Sequence, residues 1–81
     1  MDKSTKYLRF KELSIVGKKT KTISVSNNKH GFILGTIKWY APWRQYCFFP
    51  SCNVLFNATC LSEVNYIIDL LKNERKAEND N

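Results

Sequence analysis

From Tyr7 to Phe49 the chain runs through short stretches of alternating apolar and polar positions, and after Asn57 the spacing widens to three or four residues. A period of two marks strands with one buried face, and a period near 3.6 marks an amphipathic helix. Tyr7 to Leu13 predicts a first strand, with Leu8 and Phe10 on one face and Tyr7, Arg9 and Lys11 on the other. Its alternation is partial, because Leu13 joins the polar set. Thr22 to Ser26 predicts a second strand, with Ile23 and Val25 opposite Thr22, Ser24 and Ser26. Asn27-Asn28-Lys29-His30-Gly31 reads as a turn, since Asn and Gly tolerate positive φ. Phe32 to Tyr40 is the third and longest expected strand. Strict alternation there puts Ile33, Gly35, Ile37 and Trp39 on one face and Leu34, Thr36, Lys38 and Tyr40 on the other.

Ala41-Pro42-Trp43 interrupts that strand, and Pro42 presets φ for a tight turn. Arg44 to Phe49 returns as a fourth strand, and Val54-Leu55-Phe56 is expected to add a short edge strand. Asn57 then reads as the N-cap of a helix whose Cys60, Leu61, Val64, Ile67, Ile68 and Leu71 form one apolar stripe. The expected fold class is α+β, an antiparallel sheet of four to five strands packed against one C-terminal helix. The expected organisation is a flexible N-terminus over 1–6, a single domain over 7–76 and a flexible tail over 77–81.

Eighty-one residues allow one domain with a thin core. A content of 43% hydrophobic and 14% aromatic residues excludes a disordered chain. The net charge of +6 is unevenly spread: residues 1–50 carry ten Lys or Arg against Asp2 and Glu12, and residues 51–81 are net acidic. Such asymmetry points to an anionic partner, although a lysine-rich surface also serves plain solubility. The opening Met-Asp-Lys-Ser-Thr-Lys has no apolar core of a signal peptide, and nothing approaches the roughly 20 apolar residues of a membrane span. The expectation is therefore a cytoplasmic protein with no membrane partner and reduced Cys47, Cys52 and Cys60.

Six of the eleven aromatic side chains fall between Gly35 and Pro50. Rings between cations suit single-stranded nucleic acid, with bases stacking on the rings while Lys and Arg neutralise phosphates. The plainer alternative is that most of these rings enlarge a small core. Trp43 stands apart, because it sits at the hairpin tip beside Pro42, with Arg44 next to it. Trp43, Arg44, Lys38 and Tyr46 are the candidate contacts of the hairpin, and Lys18, Lys19 and Lys21 are candidate phosphate contacts in the basic connection after Gly17.

His30, Cys47, Cys52 and Cys60 lack any Cys-x-x-Cys knuckle, so no metal site and no cofactor is expected. The single histidine, His30, has no evident nucleophile or carboxylate partner, and no phosphate-binding loop or metalloprotease helix is present. The expectation is a non-catalytic chain with no catalytic residues.

Lys38-Trp39-Tyr40-Ala41-Pro42-Trp43-Arg44-Gln45-Tyr46-Cys47-Phe48-Phe49-Pro50 resembles a segment of small uncharacterised proteins from phages and bacterial mobile elements, and Phe56-Asn57-Ala58 with Cys60-Leu61 continues the pattern. The resemblance spans residues 32–71 and leaves the basic amino-terminal third outside it. It implies a phage or prophage accessory protein acting in the host cytoplasm, and it brings no activity or site. The residues and the resemblance together favour a small binding module for nucleic acid, using a basic face and the aromatic hairpin. The alternative is a protein-interaction module that forms a homodimer or blocks a host protein through the same aromatics.

Overall fold

A computed structural model describes residues 2–13 and 19–79, with side chains described through residue 74. Five strands follow in order: β1 (Lys3–Ser4), β2 (Leu8–Leu13), β3 (Thr22–Asn27), β4 (Ile33–Tyr40) and β5 (Gln45–Pro50). One helix, α1 (Ala58–Asn79), closes the chain. The strands form one antiparallel sheet in the sequential order β1-β2-β3-β4-β5, so every connection is a hairpin. The fold is α+β, as the change of period predicts.

The apolar alternation builds the core. Leu8 and Phe10 of β2, Ile23 and Val25 of β3 and Ile37 of β4 are buried against Val64, Ile67 and Leu71 of α1. Residues on the same pleat face of paired strands line up, so one sheet face is apolar and the helix stripe covers it. Asn57 Oδ1 accepts a hydrogen bond from the Cys60 N–H at 2.8 Å, which caps α1 as expected. Lys21 Nζ meets Glu74 Oε2 at 2.9 Å and ties the start of β3 to the far part of the helix.

The turn before β4 is held by the side chain of Asn27, whose Oδ1 accepts from the N–H groups of both Lys29 and His30 at 2.8 Å. Gly31 supplies the positive φ of +76°. Asn28 stitches this turn to the β1–β2 hairpin, donating its N–H to Tyr7 O and its side-chain amide to Thr5 O, each at 2.9 Å.

Five expectations change, the last of them in the facing of β4. Lys3 and Ser4 pair with Phe10 and Arg9, within the stretch expected to be a loose terminus. Val54, Leu55 and Phe56 form no strand, and Leu55 is almost fully exposed. Leu61 belongs to the helical stripe by spacing, yet it is 53% exposed, while Cys60, Ile68 and Leu70 pack beside Val64, Ile67 and Leu71. The helix runs on to Asn79, past the expected boundary at 76; Asp80 and Asn81 lie outside the described residues. Among the described residues no helix is long and apolar enough to cross a membrane.

A bulge decides the geometry of β4. Val25 pairs with Gly35, but the next residue, Ser26, pairs with Ile33, so the register slips by one. An extra residue in one strand reverses the facing of what lies beyond it. Ile33 therefore points away from the helix and is 66% exposed, while Leu34 packs against the core. Simple alternation assigns these two residues the other way round.

Candidate functional site

With α1 on one face of the sheet, no element among the described residues covers the other. Cross-strand pairing fixes what stands on it: Thr36 opposite Phe49, Lys38 opposite Cys47 and Tyr40 opposite Gln45 on β4 and β5. Further across the sheet, Lys11 stands opposite Ser24 and Arg9 opposite Ser26. Cations, hydroxyls and rings thus share one surface, and Arg9, Lys11 and Lys38 are all exposed.

The rings on that surface form a chain. Tyr40 meets Trp43 edge to face, with centroids 5.0 Å apart and planes at 85°. Tyr40 also meets Phe49 at 6.0 Å. Lys38 Nζ lies 4.6 Å from the centroid of Phe49, a cation–π contact that holds the ammonium group over the ring. Trp43 is 66% exposed at the hairpin tip. Its position comes from a 3-10 turn over Ala41–Trp43, with Pro42 in the first positions, followed by Arg44 in the left-handed region at φ 52°, ψ 47°. The Arg44 N–H closes this turn on Ala41 O at 3.1 Å.

The neighbouring part of the face is a shallow groove of about 620 Å³ between Lys3, Ser4, Arg9, Lys11, Ser24 and Ile33. Asp2 is its acidic lining residue, and one oxygen of that carboxylate already accepts from the Glu12 N–H at 2.9 Å.

Not every sequence-predicted site residue reaches this surface. Lys38 and Trp43 do, and Arg44 is exposed beside Trp43. Tyr46 lies on the helix side, packed against the core, edge to face with Trp39 at 5.4 Å, its hydroxyl accepting from the Lys21 N–H at 3.1 Å. Lys21 is engaged with Glu74, and more distantly with Glu12 at 3.9 Å. The hydrogen bond to Glu74 raises the Lys21 pKa above its ordinary value; desolvation opposes this, and Coulomb attraction to Glu74 and Glu12 adds to it. Tyr46 and Lys21 are thus fold-building residues on the covered side. Lys19 is exposed, and Lys18 lies outside the described residues.

Sequence reasoning passed over Tyr40 and Phe49 as site residues, and it counted Arg9 and Lys11 only among the cations of the basic half that could track a phosphate backbone. The signal for Tyr40 and Phe49 was the hairpin pairing itself, which sets both on the same pleat face as Lys38. Cys47, Cys52 and Cys60 are free thiols, and among the described residues no group of His, Cys, Asp and Glu is arranged to hold a metal ion.

These features define a small α+β protein with one helix-covered sheet face and one open face of mixed rings and cations. A protein of Acholeplasma phage L2 described as an "Uncharacterized 9.3 kDa protein" is 40% identical over 74 residues, spanning 91% of this chain and 95% of the relative. The chain belongs to the family of small phage proteins that includes this relative. No family model and no solved structure matches it.

Proposed function

We propose that the chain is a non-catalytic module that binds single-stranded nucleic acid on the open sheet face, in the cytoplasm of a phage host. The observation that carries this reading is the run Trp43–Tyr40–Phe49–Lys38 beside Arg9 and Lys11 on the face opposite the helix. Rings accept bases of any sequence by stacking, and cations beside them neutralise the phosphates that follow. Trp43 and Arg44 lead at the hairpin tip, and Lys38 and Lys11 follow along the sheet. The aromatic hairpin from Lys38 to Pro50 is, on this reading, the functional segment behind the resemblance to phage and mobile-element proteins.

Fluorescence anisotropy with labelled single-stranded and duplex oligonucleotides, at low and near-physiological salt, tests it. Trp43→Ala should weaken single-strand binding by about 1–3 kcal/mol, roughly 5- to 150-fold. Its thermal midpoint should hardly move, because Trp43 is mostly exposed. Tyr46→Phe, on the covered face, should leave affinity unchanged. An affinity indifferent to Trp43→Ala removes the stacking role. Binding lost on modest salt addition reduces the lysines to ordinary surface charge.

A second reading, attachment to a host protein, is favoured by Leu55 at 97% and Leu61 at 53% exposure outside the open sheet face. Pull-down from host lysate with Leu55→Ser and Leu61→Ser variants separates the two, since these changes lie away from the proposed nucleic-acid surface.

A further inference from the structure

We propose that β5 is a docking edge for a second copy of this chain, the two β5 strands pairing antiparallel about a twofold axis beside Cys47. The inference stands on the edge geometry and does not depend on the nucleic-acid reading.

Among the described residues β5 pairs with β4 alone. The Ser51 N–H donates to Leu34 O at 2.9 Å, in line with the Gly35–Pro50 and Tyr40–Gln45 register. Hydrogen-bonded and non-hydrogen-bonded pairs alternate along an antiparallel ladder. Phe49, Cys47 and Gln45 therefore turn their backbone groups toward β4. The N–H and C=O groups of Tyr46 and Phe48 point outward, off the sheet. Pro50 falls in the outward set, so its missing N–H costs the β4 ladder nothing.

Open edges are commonly guarded by charged side chains, especially Lys. The opposite side of the sheet follows that rule, with Lys3 on β1 and Lys11 on β2. Gln-Tyr-Cys-Phe-Phe-Pro of β5 carries no charge at all. The positive charge of the chain lies in residues 1–50, which build the sheet, so like charge opposes pairing along the other sheet surfaces and does not oppose it along this uncharged edge. Lys38 and its counterpart would stand three strand spacings apart, about 14 Å, beyond the roughly 8 Å Debye length at physiological salt.

The ends of β5 select one register. A twofold pair must match outward residues with outward residues. Phe48 opposite Phe48 would set Tyr46 against Pro50, which has no N–H to give. Tyr46 opposite Tyr46 would set Phe48 against Arg44, whose left-handed conformation at φ 52° ends the strand. Tyr46 opposite Phe48 remains, and it satisfies the outward N–H and C=O groups of both residues in both copies. That register sets Cys47 against Cys47 in a non-hydrogen-bonded pair, with Cα atoms about 4.5 Å apart, within the span of a disulfide. The product is one continuous ten-strand sheet, with both open faces on the same side.

Sedimentation equilibrium of the full chain in reducing buffer should give twice the monomer mass. Oxidised glutathione should then link the copies: two Cys47 thiols lose two protons and two electrons, and glutathione leaves as two reduced molecules. Peptide mapping should find the Cys47–Cys47 bond. Cys47→Lys sets two ammonium groups face to face and should halve the mass, with far-UV circular dichroism reporting its folding, while Cys47→Ser should remain dimeric. A monomer at every concentration overturns the proposal. So does a dimer linked through Cys52 or Cys60 instead, or one that survives in a folded Cys47→Lys chain. Should Cys47→Lys fail to fold, the cross-link positions in the unaltered chain decide: a Cys47–Cys47 bond upholds the paired edges, and any other bond overturns them.

Discussion

A methyl group added at Gly35 would lie 2.6 Å from Phe48 Cε1 and 2.6 Å from the Phe49 carbonyl oxygen. The ring can turn away, but the carbonyl belongs to the β4–β5 ladder and cannot. Gly35→Ala should therefore cost about 1–3 kcal/mol, seen as a lower thermal midpoint. An unchanged midpoint would mean that β5 does not close on β4 this tightly. Arg44 presents the opposite case. It holds the left-handed region at φ 52° without being glycine. Arg44→Gly should raise stability by about 0.5–1 kcal/mol, the relief of Cβ crowding less the entropy of a glycine. The same change removes a cation beside Trp43, so on the proposed function stability rises while oligonucleotide affinity falls. Glycine at 35 stands openly in the chain, but the reason for it, a ring and a carbonyl closing from the neighbouring strand, does not.

The helix is held at its start by a cap and farther along by an ion pair. At its start, Asn57→Ala removes the 2.8 Å bond to the Cys60 N–H and should cost about 1 kcal/mol in urea unfolding. Further along, the Lys21–Glu74 pair joins it to β3. The folded Lys21 pKa is raised, so the pair's contribution is complete below the unfolded value near pH 10.4 and fades as pH rises through the folded one. Both side chains are more than a third exposed, at 36% and 44%, so solvent screening limits the effect to about 0.5 kcal/mol. Lys21→Met should show that small loss at neutral pH and a shallower decline of stability into alkali, measured by urea titrations from about pH 8 to about pH 11. The cap was legible from Asn57 ahead of an apolar stripe. The pair was not, because fifty-three residues separate its partners.

Across the whole molecule, the helix covers one sheet face and leaves the other to water or a partner. If Arg9, Lys11, Lys38 and Arg44 each neutralise one phosphate, log K should fall with log salt at a slope of about −3 for single strands. A slope near zero would take those cations out of contact. The strands β2 to β5, their hairpin order, the Asn27–Gly31 turn and the capped helix follow from local spacing, since apolar period and turn chemistry act between near neighbours, whereas β1 carries no such signal and Val54–Phe56 carries one that the fold does not use. Leu8, Phe10, Ile23, Val25 and Ile37 could be placed in the core for the same reason. Alternation also paired Lys38 with Tyr40, but it could not say which of their two faces the helix would cover. The bulge after Val25 reversed Ile33 and Leu34, and long-range pairing carried Tyr46 and Lys21 to the covered side. Local periodicity thus determined β2 to β5, the helix and their order. The tertiary structure decided which residues share a surface, because that depends on cross-strand register and on where the helix docks, and both are set by contacts between residues far apart in the chain.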